Sequence, residues 1–180
     1  MNVVVYCGAN PGRDSRFTAL ARELGAWIAD NGHRLVYGGS DCGLMGTLAQ
    51  AALDHGGEVI GVEPRFFIES GIGQPALTEL HVVETMSERK MMMYELGEAF
   101  VALPGGTGTL EEIAEVLSLA KLGKHAHPCI FYSFEGYYEP LRTLFQTMVR
   151  QGFLTEKELK LARFAPDLTS VSAILEAAAP

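Results

Sequence analysis

The sequence predicts an α/β fold: a Rossmann-like, doubly wound, mostly parallel sheet with helices on both faces. Three observations predict it. Short β-rich runs alternate with helical patterns from one end of the 180 residues to the other. The runs are continuously apolar, as strands covered on both faces are. Three glycine-bearing turns, "CGANPG", "YGGSDCGLMG" and "LPGGTGT", follow such runs, and ligands in open α/β sheets sit at the carboxyl ends of strands.

The elements follow in order. Val3 to Tyr6 is a β-rich run. Ser15 to Asp30 sets Phe17, Leu20, Leu24, Trp27 and Ile28 at helical spacing, and Asn31-Gly32 closes it. Arg34 to Tyr37 is the next strand, Leu44 to His55 an alanine-rich helix, and Glu58 to Val62 the third strand. Glu63 to Thr78 carries Pro64, Gly71, Gly73 and Pro75 and reads as a long loop. Leu80 to Val83 resumes as a strand. Thr85 to Gly97 is a helix, with Thr85 and Glu88 at capping-box spacing. Phe100 to Leu103 is a strand, and a helix runs from about Thr109 to Leu122. Cys129 to Tyr132 and Tyr137 to Gln151 form another strand and helix. A weaker segment near Leu161 to Ala165 precedes a terminal helix from Asp167 to Ala178. No repeat or linker divides the chain, so residues 1–180 read as a single domain.

Composition narrows the function. The net charge is −8 with no basic block, which argues against a nucleic-acid surface. No apolar run reaches the length of a membrane span. Cys7, Cys42 and Cys129 are odd in number, far apart and without a CxxC, as expected for free thiols in a reducing, cytoplasmic setting. His125 and His127 have no further Cys or His nearby to complete a zinc shell, so no metal is expected.

The densest motif is "LPGGTGTLEE", residues 103–112. Gly105, Gly106 and Gly108 leave no Cβ to obstruct a close ligand. N–H groups at the following helix start can hold a phosphate, and Thr107 and Thr109 can add hydroxyls. The order GGxGT is neither a Walker A loop nor GxGxxG. Thr109 and Glu112 also have capping-box spacing, and spacing alone favours a cap over catalysis for Glu112, as it does for Glu111. In "MSERKMMMYEL", Arg89 and Lys90 lie near a helix start, where cations oppose the helix dipole. That local inconsistency marks a candidate site. Arg89 can form paired hydrogen bonds to a ligand and Lys90 can serve as a point charge.

With these motifs in place, the sequence resembles the Lonely Guy family of cytokinin riboside 5′-monophosphate phosphoribohydrolases, formerly labelled lysine decarboxylases. The family pattern PGGxGTxxE stands at Pro104 to Glu112, and its Arg-Lys pair at Arg89 and Lys90. "YCGAN", "LVYGGSDCGLMG" and "GGEVIGVEP" resemble family segments as well. The chain departs from the pattern at Ser87, usually histidine, and at Ala9 and Asn10, often serines. At Gly71 the family often carries an acidic substrate contact.

The resemblance implies hydrolysis of the N-glycosidic bond of AMP or an N6-modified AMP, giving free base and ribose 5-phosphate without a cofactor. It implies that Arg89 and Glu112 act at the ribose and that Gly105, Gly106, Thr107, Gly108 and Thr109 bind the 5′-phosphate. Lys90 and Glu111 would line the substrate site. The family is commonly homodimeric or larger. A non-catalytic nucleotide-binding protein on the same scaffold is the alternative. Lysine decarboxylation fits poorly, because no lysine lies in a recognisable setting for a Schiff base to pyridoxal phosphate.

Overall fold

The computed structural model describes residues 1–71 and 73–178. Seven strands form one sheet: β1 (Asn2–Tyr6), β2 (Arg34–Tyr37), β3 (Glu58–Pro64), β4 (Glu79–Val83), β5 (Ala99–Ala102), β6 (Cys129–Tyr132) and β7 (Ala162–Ala165). Their order is β4-β3-β2-β1-β5-β6-β7, and every neighbouring pair is parallel. The sequence expectation of a doubly wound sheet is met in full. The chain winds outward from β1 to β4, then returns to pair β5 on the other side of β1. That reversal leaves a crevice at the carboxyl ends of β1 and β5.

The helices are α1 (Arg16–Asp30), α2 (Gly43–Asp54), α3 (Arg65–Glu69), α4 (Met86–Leu96), α5 (Thr107–Lys121), α6 (Glu139–Arg150), α7 (Glu156–Leu159) and α8 (Leu168–Ala178). Strand alternation divides the core in two. Val3, Val5, Leu35 and Tyr37 face Leu20, Leu24 and Ile28 of α1, Leu44 and Leu48 of α2, and Leu175 of α8. Val4, Tyr6, Val36 and Phe100 face Met93 of α4 and Ile113 and Val116 of α5. The central strands therefore lose both faces to packing, which is why they read as unbroken apolar runs.

Three expectations change. The long loop after β3 contains the short helix α3. Its Ile72 lies outside the described residues. The four-residue helix α7 has no apolar period to reveal it. It is held by a capping box in which Thr155 accepts from the Glu158 N–H and Glu158 returns to the Thr155 N–H. Helix α5 starts at Thr107, two residues earlier than expected, with Gly106 as its N-cap. Thr109 is thus the third residue of the helix and cannot cap it, so the Thr109–Glu112 capping box does not exist.

Candidate active site

The cleft lies at the switch point, has a volume of roughly 440 Å³, and is walled by the three glycine turns together with Met86, Arg89 and Met93 of α4 and Glu111 and Glu112 of α5. One end is the start of α5. The first-turn N–H groups of Thr107, Gly108 and Thr109 have no helical acceptor, and no side chain caps them. Those donors and the helix dipole favour an anion. Thr109 is buried, tucked against Gly105 so closely that a Cβ there would overlap its Oγ1. Thr107 and Gly108 stay exposed. Two tyrosines brace this loop from the far side: Tyr137 donates to the Gly105 carbonyl at 2.6 Å and Tyr138 to the Leu103 carbonyl at 2.7 Å. Sequence reading missed that support, for which the "YY" pair was the only signal.

Helix α4 supplies the other end. Its N-cap Thr85 accepts from the Glu88 N–H, and Glu88 reaches back one residue further, to the Glu84 N–H. Successive helical residues diverge by about 100°, so Arg89 and Lys90 separate. Arg89 turns inward and is 8% exposed. Its Nε donates to the Val62 carbonyl at 3.1 Å and its Nη2 to the Gly38 carbonyl at 3.3 Å. The remaining Nη1 lies 3.5 Å from Glu112 Oε1. Only glycine fits at position 38, since a Cβ there would overlap the guanidinium. The strand-end carbonyls of β3 and the turn after β2 thus orient the arginine, and one face of it is left for Glu112 and the cleft.

Glu112 is a buried carboxylate without a hydrogen bond among the described residues. Burial pushes its pKa above the ordinary glutamate value, while Arg89 pulls it back down. A carboxylate so placed is poorly solvated and carries a strong field into the cleft.

Lys90 goes elsewhere. Its Nζ meets Glu111 Oε1 at 2.6 Å and Glu115 Oε2 at 3.0 Å, joining α4 to α5 outside the cleft wall. Hydrogen bonding to Glu111 raises its pKa. Glu111 itself is exposed and reaches the cleft rim. His125 Nε2 donates to the Val116 carbonyl, and no cluster of metal-ligating side chains occurs among the described residues. Among the described residues no helix is long and apolar enough to cross a membrane.

An open parallel sheet whose switch-point cleft joins a helix start that no side chain caps to an Arg–Glu pair defines an α/β protein with its candidate site at the switch point. Residues 45–175 match the family model described as "Possible lysine decarboxylase", and the chain belongs to that family. The cytokinin riboside 5′-monophosphate phosphoribohydrolase of Rhodococcoides fascians is 50% identical over 157 residues, spanning 86% of this chain and 78% of that protein. The cytokinin riboside 5′-monophosphate phosphoribohydrolase LOG of Oryza sativa subsp. japonica is 37% identical over 178 residues, 99% of this chain and 74% of that one. Among solved structures, the molybdenum cofactor carrier protein of Chlamydomonas reinhardtii superposes with a TM-score of 0.75 at 22% identity, covering 98% of this chain and 96% of that one. That likeness concerns the fold.

Proposed function

We propose that this protein hydrolyses the N-glycosidic bond of AMP or an N6-modified AMP, releasing the base and ribose 5-phosphate. The observation that carries it is the Arg89–Glu112 pair at one end of a cleft whose other end is the bare N-terminus of α5. The relatives' activity supports the same reading.

The chemistry follows from the geometry. The 5′-phosphate takes the N–H groups from Gly106 to Thr109, and its binding energy fixes the ribose. Breaking the bond from C1′ to the base nitrogen develops positive charge on the sugar. The Glu112 carboxylate stabilises that charge and orients the attacking water. Water adds to C1′, the base leaves with the bonding electron pair and a proton, and ribose 5-phosphate remains. Arg89 holds Glu112 toward the sugar. Glu111 and Lys90 act at the rim, where their pairing ties α4 to α5.

Decarboxylation of lysine finds no support in the cleft, because no lysine is among its lining residues. Met86, Met91 and Leu110 form exposed apolar positions on α4 and α5 beside the cleft, consistent with self-association into a homodimer or larger assembly. The free thiols accord with a cytoplasmic protein.

The deciding experiment measures base release from AMP and isopentenyl-AMP by the purified protein and by Glu112→Ala. Release by the wild type and its loss in the variant are expected. AMP binding without any release would assign a non-catalytic nucleotide-binding protein instead.

A further inference from the structure

The Gly38–Gly39 step carries a second buried carboxylate up to the site. A Cβ on Gly38 would overlap the Arg89 guanidinium, and a Cβ on Gly39 would overlap Glu63 Oε2. Consecutive Cα atoms are about 3.8 Å apart, so guanidinium and carboxylate pack against neighbouring residues of one glycine ribbon. The backbone repeats the link. Arg89 bonds the carbonyl of Val62, the residue before Glu63, and the carbonyl of Gly38, the residue before Gly39.

Glu63 is 2% exposed, and its Oε2 has no hydrogen-bond partner among the described residues. The Tyr37 hydroxyl, on the adjacent strand, is another buried oxygen without one. Unpaired buried polar groups are costly and rare, and each calls for an explanation. An alkyl side chain would fill the space without that cost.

We propose that Glu63 is a positioning residue for Arg89: from behind the glycine ribbon it shares the guanidinium with Glu112 and, when ionised, draws it away from the cleft. The inference rests on the phosphoribohydrolase reading. The charged and titratable groups that act on Glu63 are Arg89 from α4 and Asp41 from the turn before α2, and Glu63 in turn acts on the Tyr37 hydroxyl and the Cys42 thiol. Burial pushes the Glu63 carboxyl up to about 7, against the pull of Arg89 and with the help of Asp41. Below neutrality Glu63 is neutral, and Arg89 serves Glu112 alone. Above neutrality two buried carboxylates divide one guanidinium, and the added negative charge opposes a phosphate monoester.

The test is the pH profile of kcat and KM for base release, from pH 5.5 to 9, in wild type and Glu63→Gln. The expected result is an alkaline decline in wild-type kcat/KM, with its midpoint near 7, that the variant lacks. The ratio of variant to wild type then rises about fivefold between pH 6 and pH 8.5. The second ionisation of the phosphate, near pH 6, is common to both proteins and cancels in the ratio. A parallel decline in the variant, or an equal loss at every pH, overturns the proposal. Carbon-13 titration of the Glu63 carboxyl in the wild type checks it without the variant, and a midpoint near 4.5 overturns it. If the wild type releases no base from any monophosphate, the enzymatic reading fails by itself. Calorimetry of AMP at pH 6 and 8.5 then decides the positioning role: weakening at pH 8.5 in wild type alone supports it, and equal weakening in both proteins overturns it.

Discussion

Arg89 and Lys90 each carry a charge from α4 to a glutamate of α5, one beneath the seam between the helices and one above it. The outer contact is the shorter, 2.6 Å to Glu111, with the glutamate side chain 63% exposed. The inner contact is 3.5 Å, with both side chains about a tenth exposed. Distance alone would rank the outer pair higher. Environment reverses the ranking, because solvent screens an exposed pair to within about 1 kcal/mol, whereas a buried pair acts at low dielectric and cannot lose one partner cheaply. On the proposed function, the tight outer pair is a fastener and the inner pair, which lines the cleft, is the reactive centre.

The largest test of that contrast is Glu112→Gln, which keeps shape and removes charge. Its kcat is expected to fall by about 10³-fold or more. The sign of the stability effect is fixed as well. A carboxyl with a raised pKa contributes stability below its unfolded value and loses it as pH rises through the folded one. Wild type therefore loses stability as pH rises through the folded midpoint, a loss the variant lacks, as melting temperatures followed across pH would show.

Next is Gly38→Ala, whose Cβ displaces the guanidinium without touching Glu112. A loss of about 10²-fold in kcat/KM is expected, as for other misplacements near an ångström, with a far-ultraviolet spectrum like wild type. A smaller effect comes from pH. Activity needs ionised Glu112, so it declines as pH falls through a midpoint above the ordinary glutamate value. Arg89→Lys loses the two-point anchoring and moves that midpoint further up, by less than about one unit. The smallest is Lys90→Ala, with kcat/KM within about threefold of wild type and a melting temperature lower by about 1–3 °C that recovers in high salt. A hundredfold loss in kcat from that variant would erase the distinction between the two layers.

The central strands were legible because burial on both faces writes a simple pattern, whereas β4 is mostly exposed and β7 showed only as a weaker segment. The glycine loop was legible because a strand-to-helix turn without a ligand rarely needs so many small residues at once. Helix starts were less so. Gly106 caps α5 through backbone geometry alone, and Thr109 offered a better-looking cap three residues too late. Glu63 was hidden for a different reason. An acid beside Pro64 reads as the beginning of a loop, and its side chain packs on Gly39, in the turn after another strand. Contacts between residues distant in sequence leave no local trace. The divergence of Arg89 from Lys90 follows from helix geometry, but which of the two turns inward depended on the carbonyls of Val62 and Gly38.

The placement of β1 has a consequence for biosynthesis. It is made first, yet it occupies the middle of the sheet, and Val4 pairs with Phe100. At roughly 5–20 residues per second, its second neighbour is synthesised roughly 5–20 seconds after it. During that interval a strand with three consecutive valines has one open edge, available to any other nascent chain. Arg89 and Glu112 sit on the helices before and after β5, so assembly of the proposed site and the sealing of the aggregation-prone seam arrive in the same closing event. Mutations that slow the docking of β5 are then expected to reduce soluble yield more than they reduce the activity of molecules that have already folded.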